Sequence, residues 1–160
     1  MTEEDITTSF NKINPKLDFT IKKSAYPLTI IIEAQLLSKF CGYLYKEPCF
    51  YFDMLSSITG VDLGTDENKL QVIYHFYSIP NGISIAIEIS IPRDKAVVAS
   101  LVPFWKSAEW LERETFEMFG IYFQGHPDLR KILLPSDWDG FPLRKDYKPQ
   151  EYYHGIKVRY

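Results

Sequence analysis

Leu70–Ile79 (LQVIYHFYSI) and Ile83–Ile91 (ISIAIEISI) alternate in hydrophobic character and are separated only by Pro80-Asn81-Gly82. An Asn-Gly step between two alternating runs is a strong hairpin signal, so the middle of the chain is committed to antiparallel strands. Further extended segments surround this pair. Leu17–Lys22 alternates, Leu28–Ile32 is a β-branched run suited to burial on both faces, and Phe50–Val61 is apolar and aromatic. Helical spacing appears twice before the hairpin. Thr2-Glu3-Glu4-Asp5 resembles an N-cap ahead of Ile6, Phe10 and Ile13, with Pro15 as the stop. Leu36, Leu37, Phe40, Cys41 and Leu44 share one face of a helix over Ala34–Lys46. The order α-β-β-α-β-β-β predicts an α+β fold: a two-layer sandwich with a mixed, largely antiparallel sheet, helices on one face, and an extended C-terminal arm.

Several functions are excluded by what the chain lacks. Strict βαβ alternation is missing, and so are a Gly-x-Gly-x-x-Gly turn and a GxxxxGK[ST] loop, which leaves no dinucleotide or phosphate cradle. With 18 Lys and Arg against 21 Asp and Glu there is no basic block for nucleic acid. Cys41 and Cys49 match neither a redox pair nor a zinc or iron–sulfur site and read as two buried thiols. His75, between Tyr74 and Phe76 in a strand, reads as half-buried and has no second metal ligand nearby. The apolar run Ile83–Ile91 contains Glu88 and falls far short of the ~20 residues of a membrane span. The first ten residues carry acids and no apolar stretch, so they do not read as a secretory signal.

A last helix is predicted over Ala108–Phe119, capped by Ser107 and ended by Gly120. Ala108, Leu111, Thr115, Met118 and Phe119 share one side, and Glu109, Arg113 and Glu117 form a narrow charged stripe opposite. Glu109–Arg113 and Arg113–Glu117 are i,i+4 pairs of opposite sign, expected to bridge each other. Beyond Gly120 the periodicity fades. Residues 121–160 carry Pro127, Pro135, Pro142 and Pro149, with seven cations against five acids, while the rest of the chain is net negative. Tyr122, Phe123, Trp138, Phe141, Tyr147, Tyr152, Tyr153 and Tyr160 are side chains of the kind that anchor interfaces. Residues 1–120 are therefore read as the α+β domain, and 121–160 as an arm that docks on partners. A chain ending at Gly120 is expected to fold without joining those partners. His126 and Asp128 could form an acid–base pair, but no nucleophile or oxyanion loop accompanies them. Ion pairs and backbone hydrogen bonds that pin the arm are the better reading.

Three blocks in register carry a resemblance. Glu112-Arg113-Glu114-Thr115-Phe116-Glu117-Met118-Phe119-Gly120-Ile121, then His126-Pro127-Asp128-Leu129-Arg130-Lys131-Ile132-Leu133, then Gly140-Phe141-Pro142-Leu143-Arg144-Lys145-Asp146-Tyr147, resemble the signature region of one family. It is the small hydrophilic 30 kDa family, the C subunits of respiratory complex I, the proton-translocating NADH:quinone oxidoreductase. The likeness is strongest over Trp105–Tyr147. Glu117 stands where the family usually has Asp, and Phe141 where His is frequent.

The resemblance implies a non-catalytic subunit of the peripheral arm, supporting electron transport from NADH to quinone and assembly of the translocase. On that reading the isolated chain has no activity and binds no cofactor or metal, and FMN and iron–sulfur clusters belong to partner subunits. The chain would pack in a hetero-oligomer against the large D subunit, which helps form the quinone site. It would lie peripherally on the cytoplasmic side of the bacterial inner membrane, or on an organellar membrane, with no span of its own. The residues expected at partner interfaces are Glu112, Arg113, Glu114, Glu117, His126, Pro127, Asp128, Arg130, Trp138, Arg144, Lys145, Asp146 and Tyr147. Two alternatives stand beside it. One is the equivalent subunit of a ferredoxin- or deazaflavin-fed quinone oxidoreductase or a membrane-bound hydrogenase. The other is a freestanding enzyme using His126 and Asp128.

Overall fold

A computed structural model describes residues 8–10, 18–22 and 25–157. Five strands form one sheet in the order β1-β2-β5-β4-β3. These are β1 (Thr20–Lys22), β2 (Leu28–Ile31), β3 (Met54–Asp62), β4 (Lys69–Ser78) and β5 (Ile83–Pro92). β2 and β5 run parallel, and the other neighbours are antiparallel. The sheet is thus mixed and largely antiparallel, as the alternating runs predict. The hairpin turns through four residues, Ile79–Gly82, and Ser78 pairs with Ile83. Gly82 takes the left-handed conformation there (φ 62°) and its amide donates to Ser78 O at 2.8 Å. Asn81 anchors the loop sideways, donating from Nδ2 to Ser78 Oγ and Phe50 O.

One face of the sheet is dry. Ile58, Tyr74, Phe76, Ile85, Ile87 and Ile89 meet Leu37, Phe40 and Leu44 of α1 (Leu37–Lys46), and Ala108 and Phe119 of α2 (Ala108–Phe119). Removing this much hydrocarbon from water is the main force holding the layers together. Ala34–Leu36, expected as the start of α1, is a 3₁₀ turn leading into it. The expected N-terminal helix lies largely outside the described residues. Residues 8–10 are helical, and Phe10 is fully buried, stacked on Phe40 and Phe50 at centroid distances of 4.2 and 4.5 Å. On the opposite face Glu88, only 8% exposed, accepts Gln71 Nε2 at 2.9 Å and pairs with Lys22.

Two readings of single residues are corrected. Cys41 is buried on α1, but Cys49 is exposed, because the turn after Pro48 carries it off the helix's apolar face. Ser107 does not cap α2 through its side chain, since its hydroxyl instead donates to Leu55 O and ties the helix start to β3. Gly120 ends α2 in the left-handed conformation, as predicted. His75 is half-buried, with Nδ1 3.1 Å from Ser57 Oγ.

Strands too short to show a period were not legible. β6 (Val97–Ala99) and β7 (Tyr122–Gln124) flank α2 and pair parallel, so the first residues after Gly120 return to the domain. A small hairpin of β8 (Tyr152–Tyr153) and β9 (Ile156–Lys157) follows near the end.

Candidate interface: a strap across the second helix

Three charged side chains of α2, those of Glu112, Arg113 and Glu117, are buried. Glu112 is fully buried: Oε2 accepts Ser100 Oγ at 2.7 Å and Oε1 accepts the Leu101 amide at 2.6 Å, which fixes the bend between β6 and α2. Burial pushes its carboxyl up to about 7, against the pull of those two donors.

Arg113 and Glu117 do not bridge Glu109 or each other, contrary to the helical spacing. Each takes the backbone of residues 130–134, which lie across α2. Arg113 Nε donates to Arg130 O at 2.8 Å, and Nη2 reaches toward Lys131 O. One turn on, the Glu117 carboxylate accepts the amides of Ile132, Leu133 and Leu134, the last at 2.6 Å. A cation thus holds carbonyls and an anion holds amides along one irregular segment. Such a segment needs these bonds, having no strand ladder to satisfy its backbone. The narrow charged stripe is therefore an inner face, with both Arg113 and Glu117 buried. Trp110, 61% exposed, has the Arg113 guanidinium 5.1 Å from its ring centre.

His126 closes the upstream end of the strap. Its Nδ1 accepts the Asp128 amide at 3.0 Å, so Nε2 carries the proton and donates to Glu109 O at 2.9 Å. Both ring nitrogens are taken by backbone. Asp128 turns outward into a two-pronged bond with Arg130, at 2.6 and 2.7 Å, and that guanidinium holds its carboxyl below the usual range. The imidazole and this carboxylate are not arranged to pass a proton between them.

A second clasp holds the next stretch, centred on Asp62 at the end of β3. Its carboxylate accepts the Gly64 amide at 2.9 Å, the Lys145 amide at 2.7 Å and the Arg93 guanidinium. Burial alone would raise Asp62, but these donors outweigh it and hold the carboxyl below its ordinary value. Arg93 also pairs with Asp146, bridging sheet and arm. Arg144 Nε donates to Phe119 O at 2.6 Å, supplying a cation to the C-terminal end of α2. Further along, Trp138 packs on Tyr153, whose hydroxyl donates to Asp137.

The thirteen residues expected at an interface therefore divide. Glu112, Arg113, Glu117 and His126 work inward, on the chain's own backbone. Glu114, Pro127, Arg130, Lys145 and Asp146 are exposed, and Asp128, Trp138, Arg144 and Tyr147 are half-buried in the arm. Asp62, Arg93 and Ser100 were missed. The Asp-x-Gly step at 62–64, an Asx turn, was the one local sign of the clasp. Among the described residues, no group of three His, Cys, Asp or Glu could hold a metal ion, and no helix is long and apolar enough to cross a membrane.

Residues 30–153 match the family described as respiratory-chain NADH dehydrogenase, 30 Kd subunit. The chain is 44% identical over 119 residues to the C subunit of the NADH-quinone oxidoreductase of Chlorobium phaeobacteroides, covering 74% of this chain and 71% of that one. The same identity over the same length relates it to the C subunit of Chloroherpeton thalassium, of which it spans 49%. In fold it is similar to a trypsin-resistant fragment (1-134) of Nqo5, with a TM-score of 0.66 and 24% identity over 78% of this chain and 99% of that one. It is likewise similar to a chain of the membrane-bound sulfane sulfur reductase, an archaeal respiratory membrane complex, with a TM-score of 0.75 and 23% identity over 91% and 85%. The matched span takes in β3, β4 and β5 of the sheet with the end of β2, both helices, the strap and the Asp62 clasp, and the chain belongs to the 30 kDa subunit family of the respiratory-chain NADH dehydrogenases.

Proposed function

We propose that this chain is a non-catalytic structural subunit in the peripheral arm of a proton-translocating NADH:quinone oxidoreductase. It gives shape and contact, and the chemistry of electron transfer takes place in its partners. The observation that carries this reading is the use made of the charged signature on α2. Glu112, Arg113, Glu117 and both nitrogens of His126 are consumed in fixing the course of the chain, so none is presented to a substrate. Among what the strap and arm present outward are large apolar side chains: Leu133 is 64% exposed, Leu143 55% and Ile156 69%. Exposed hydrocarbon on a rigidly held backbone suits docking, because little further entropy is lost on association.

On this reading residues 121–160 lie along neighbouring hydrophilic subunits, chiefly the large quinone-site D subunit. FMN and iron–sulfur clusters are held by other chains, and the isolated chain is inactive. The assembly places the chain peripherally on the cytoplasmic side of the bacterial inner membrane. Affinity purification of the tagged chain from solubilised native membranes is the test. It should bring down a multisubunit iron–sulfur complex with flavin- and NADH-binding subunits. Partners without those two subunits would point to a complex fed by ferredoxin or a deazaflavin. Recovery as a free monomer, with NADH:quinone activity intact after deletion of the gene, would refute the proposal.

A further inference from the structure

Arg144 leaves half of its guanidinium unused. Nε is bonded to Phe119 O, and the Phe141 ring lies 4.6 Å from Cζ, which fixes the plane of the group. Among the described residues no carboxylate pairs with it. The nearby acids Asp62 and Asp146 are both engaged by Arg93. Its two Nη groups have no acceptor among those residues. Partial burial, and then the charge of Arg93, lower its hold on its proton, so the cation sits where an added anion would be welcome.

Three residues on, the Tyr147 hydroxyl is buried without a hydrogen-bond partner. Its ring is wedged against Gly140, where a Cβ would lie 2.9 Å from Cε2, so the ring is a fixed wall. Arg144 and Tyr147 line one open hollow of about 410 Å³, walled by Phe141 and rimmed by Asp139 and Lys148. Asp146 shares the single charge of Arg93 with Asp62, and the two cations that line the hollow, Arg144 and Lys148, have no carboxylate partner among the described residues.

A planar fork of N–H donors matches a carboxylate, whose two oxygens accept side by side. The aromatic walls suit the methylene stem of a side chain better than a small free anion, and exposed Leu143 extends the same surface. We infer that this hollow seats an aspartate or glutamate side chain of a neighbouring subunit, held by the Nη pair of Arg144. The inference rests on the reading of residues 121–160 as a docking arm and names one contact within it.

The test uses the assembled complex purified through the tagged chain. A water-soluble carbodiimide joins amines to carboxylates in direct contact, so it is applied to wild type and to R144K, and the linked peptides are mapped by mass spectrometry. The introduced amine should couple to one acidic residue of another subunit, a link that wild type lacks at this position. Lys148, a native amine on the rim, should reach the same neighbour in wild type and decides the matter if R144K does not assemble. Coupling of both positions solely to this chain's own Asp139 or Asp146, or to nothing, in a complex that retains the chain, overturns the inference. Failure of the wild-type chain to bring down any complex would instead overturn the docking reading beneath it.

Discussion

Gly60 on β3 faces the ring of Phe119 on α2 with no room between them: a Cβ at Gly60 would lie 2.4 Å from Cδ2 of that ring. The contact includes Cγ at 2.9 Å, so the obstacle is the base of a buried side chain and not a flexible tip. Gly60→Ala must therefore push the C-terminal end of α2 away from the sheet. Overpacking of this kind costs about 1–3 kcal/mol, and a urea unfolding curve of the purified chain should show that loss.

Glu117→Gln should unfasten the strap. The amide keeps one acceptor but turns an N–H₂ group toward backbone donors, leaving buried amides among residues 132–134 unpaired. Each such loss costs about 1–3 kcal/mol. Trypsin should then cut after Lys131, which is held in wild type by bonds from its Nζ to Ser136 O and Trp138 O as well as by the strap. A digestion pattern unchanged from wild type would contradict the role given to Glu117.

The stability of the fold should fall as pH rises through the weakly acidic range because of Glu112. Its carboxyl holds a proton more tightly when folded, at about 7, than the ordinary 4.5. The contribution is therefore greatest below the lower value and declines until pH passes the upper one. At ~1.4 kcal/mol per pKa unit the decline is roughly 3 kcal/mol. Glu112→Gln, which cannot ionise and still accepts from Leu101, should flatten this part of the profile. Denaturation midpoints of both chains between pH 5 and 8 provide the check.

Truncation separates two parts of the tail. Sequence alone suggests that a chain ending at Gly120 folds by itself. The structure leads to the opposite expectation, because such a chain loses β7 from its pairing with β6, strips Arg113 and Glu117 of their partners, and removes two of the groups that hold Asp62 and Arg93. It should show no cooperative thermal transition. A chain ending at Lys148 keeps all of these contacts and should melt within a few degrees of the full-length chain.

The alternating runs at 70–79 and 83–91 made the central hairpin legible, and β-branched residues at 28–31 marked a strand buried enough to pair in parallel with β5. Helical spacing located α2 to the residue. The direction of its charged face was not legible. A wheel places Arg113 and Glu117 opposite the core, and only a distant segment with no period of its own, residues 130–134, makes that side an interior. Asp62 and Arg93 escaped notice for a related reason. They meet Lys145 and Asp146 across 83 and 53 residues, a juxtaposition created where β3 and β5 end and not by any local pattern.

Arg93 stands directly after β5, and Asp62 closes β3, so the clasp joins the arm to the ends of two strands of the same sheet. A pull on residues 148–157 from a docked neighbour is thus delivered through Asp146 and Arg93 straight into the most rigid layer of the molecule. The protein behaves as a bracket bolted at its strongest member, and its neighbours can be positioned by it without the strap having to stretch.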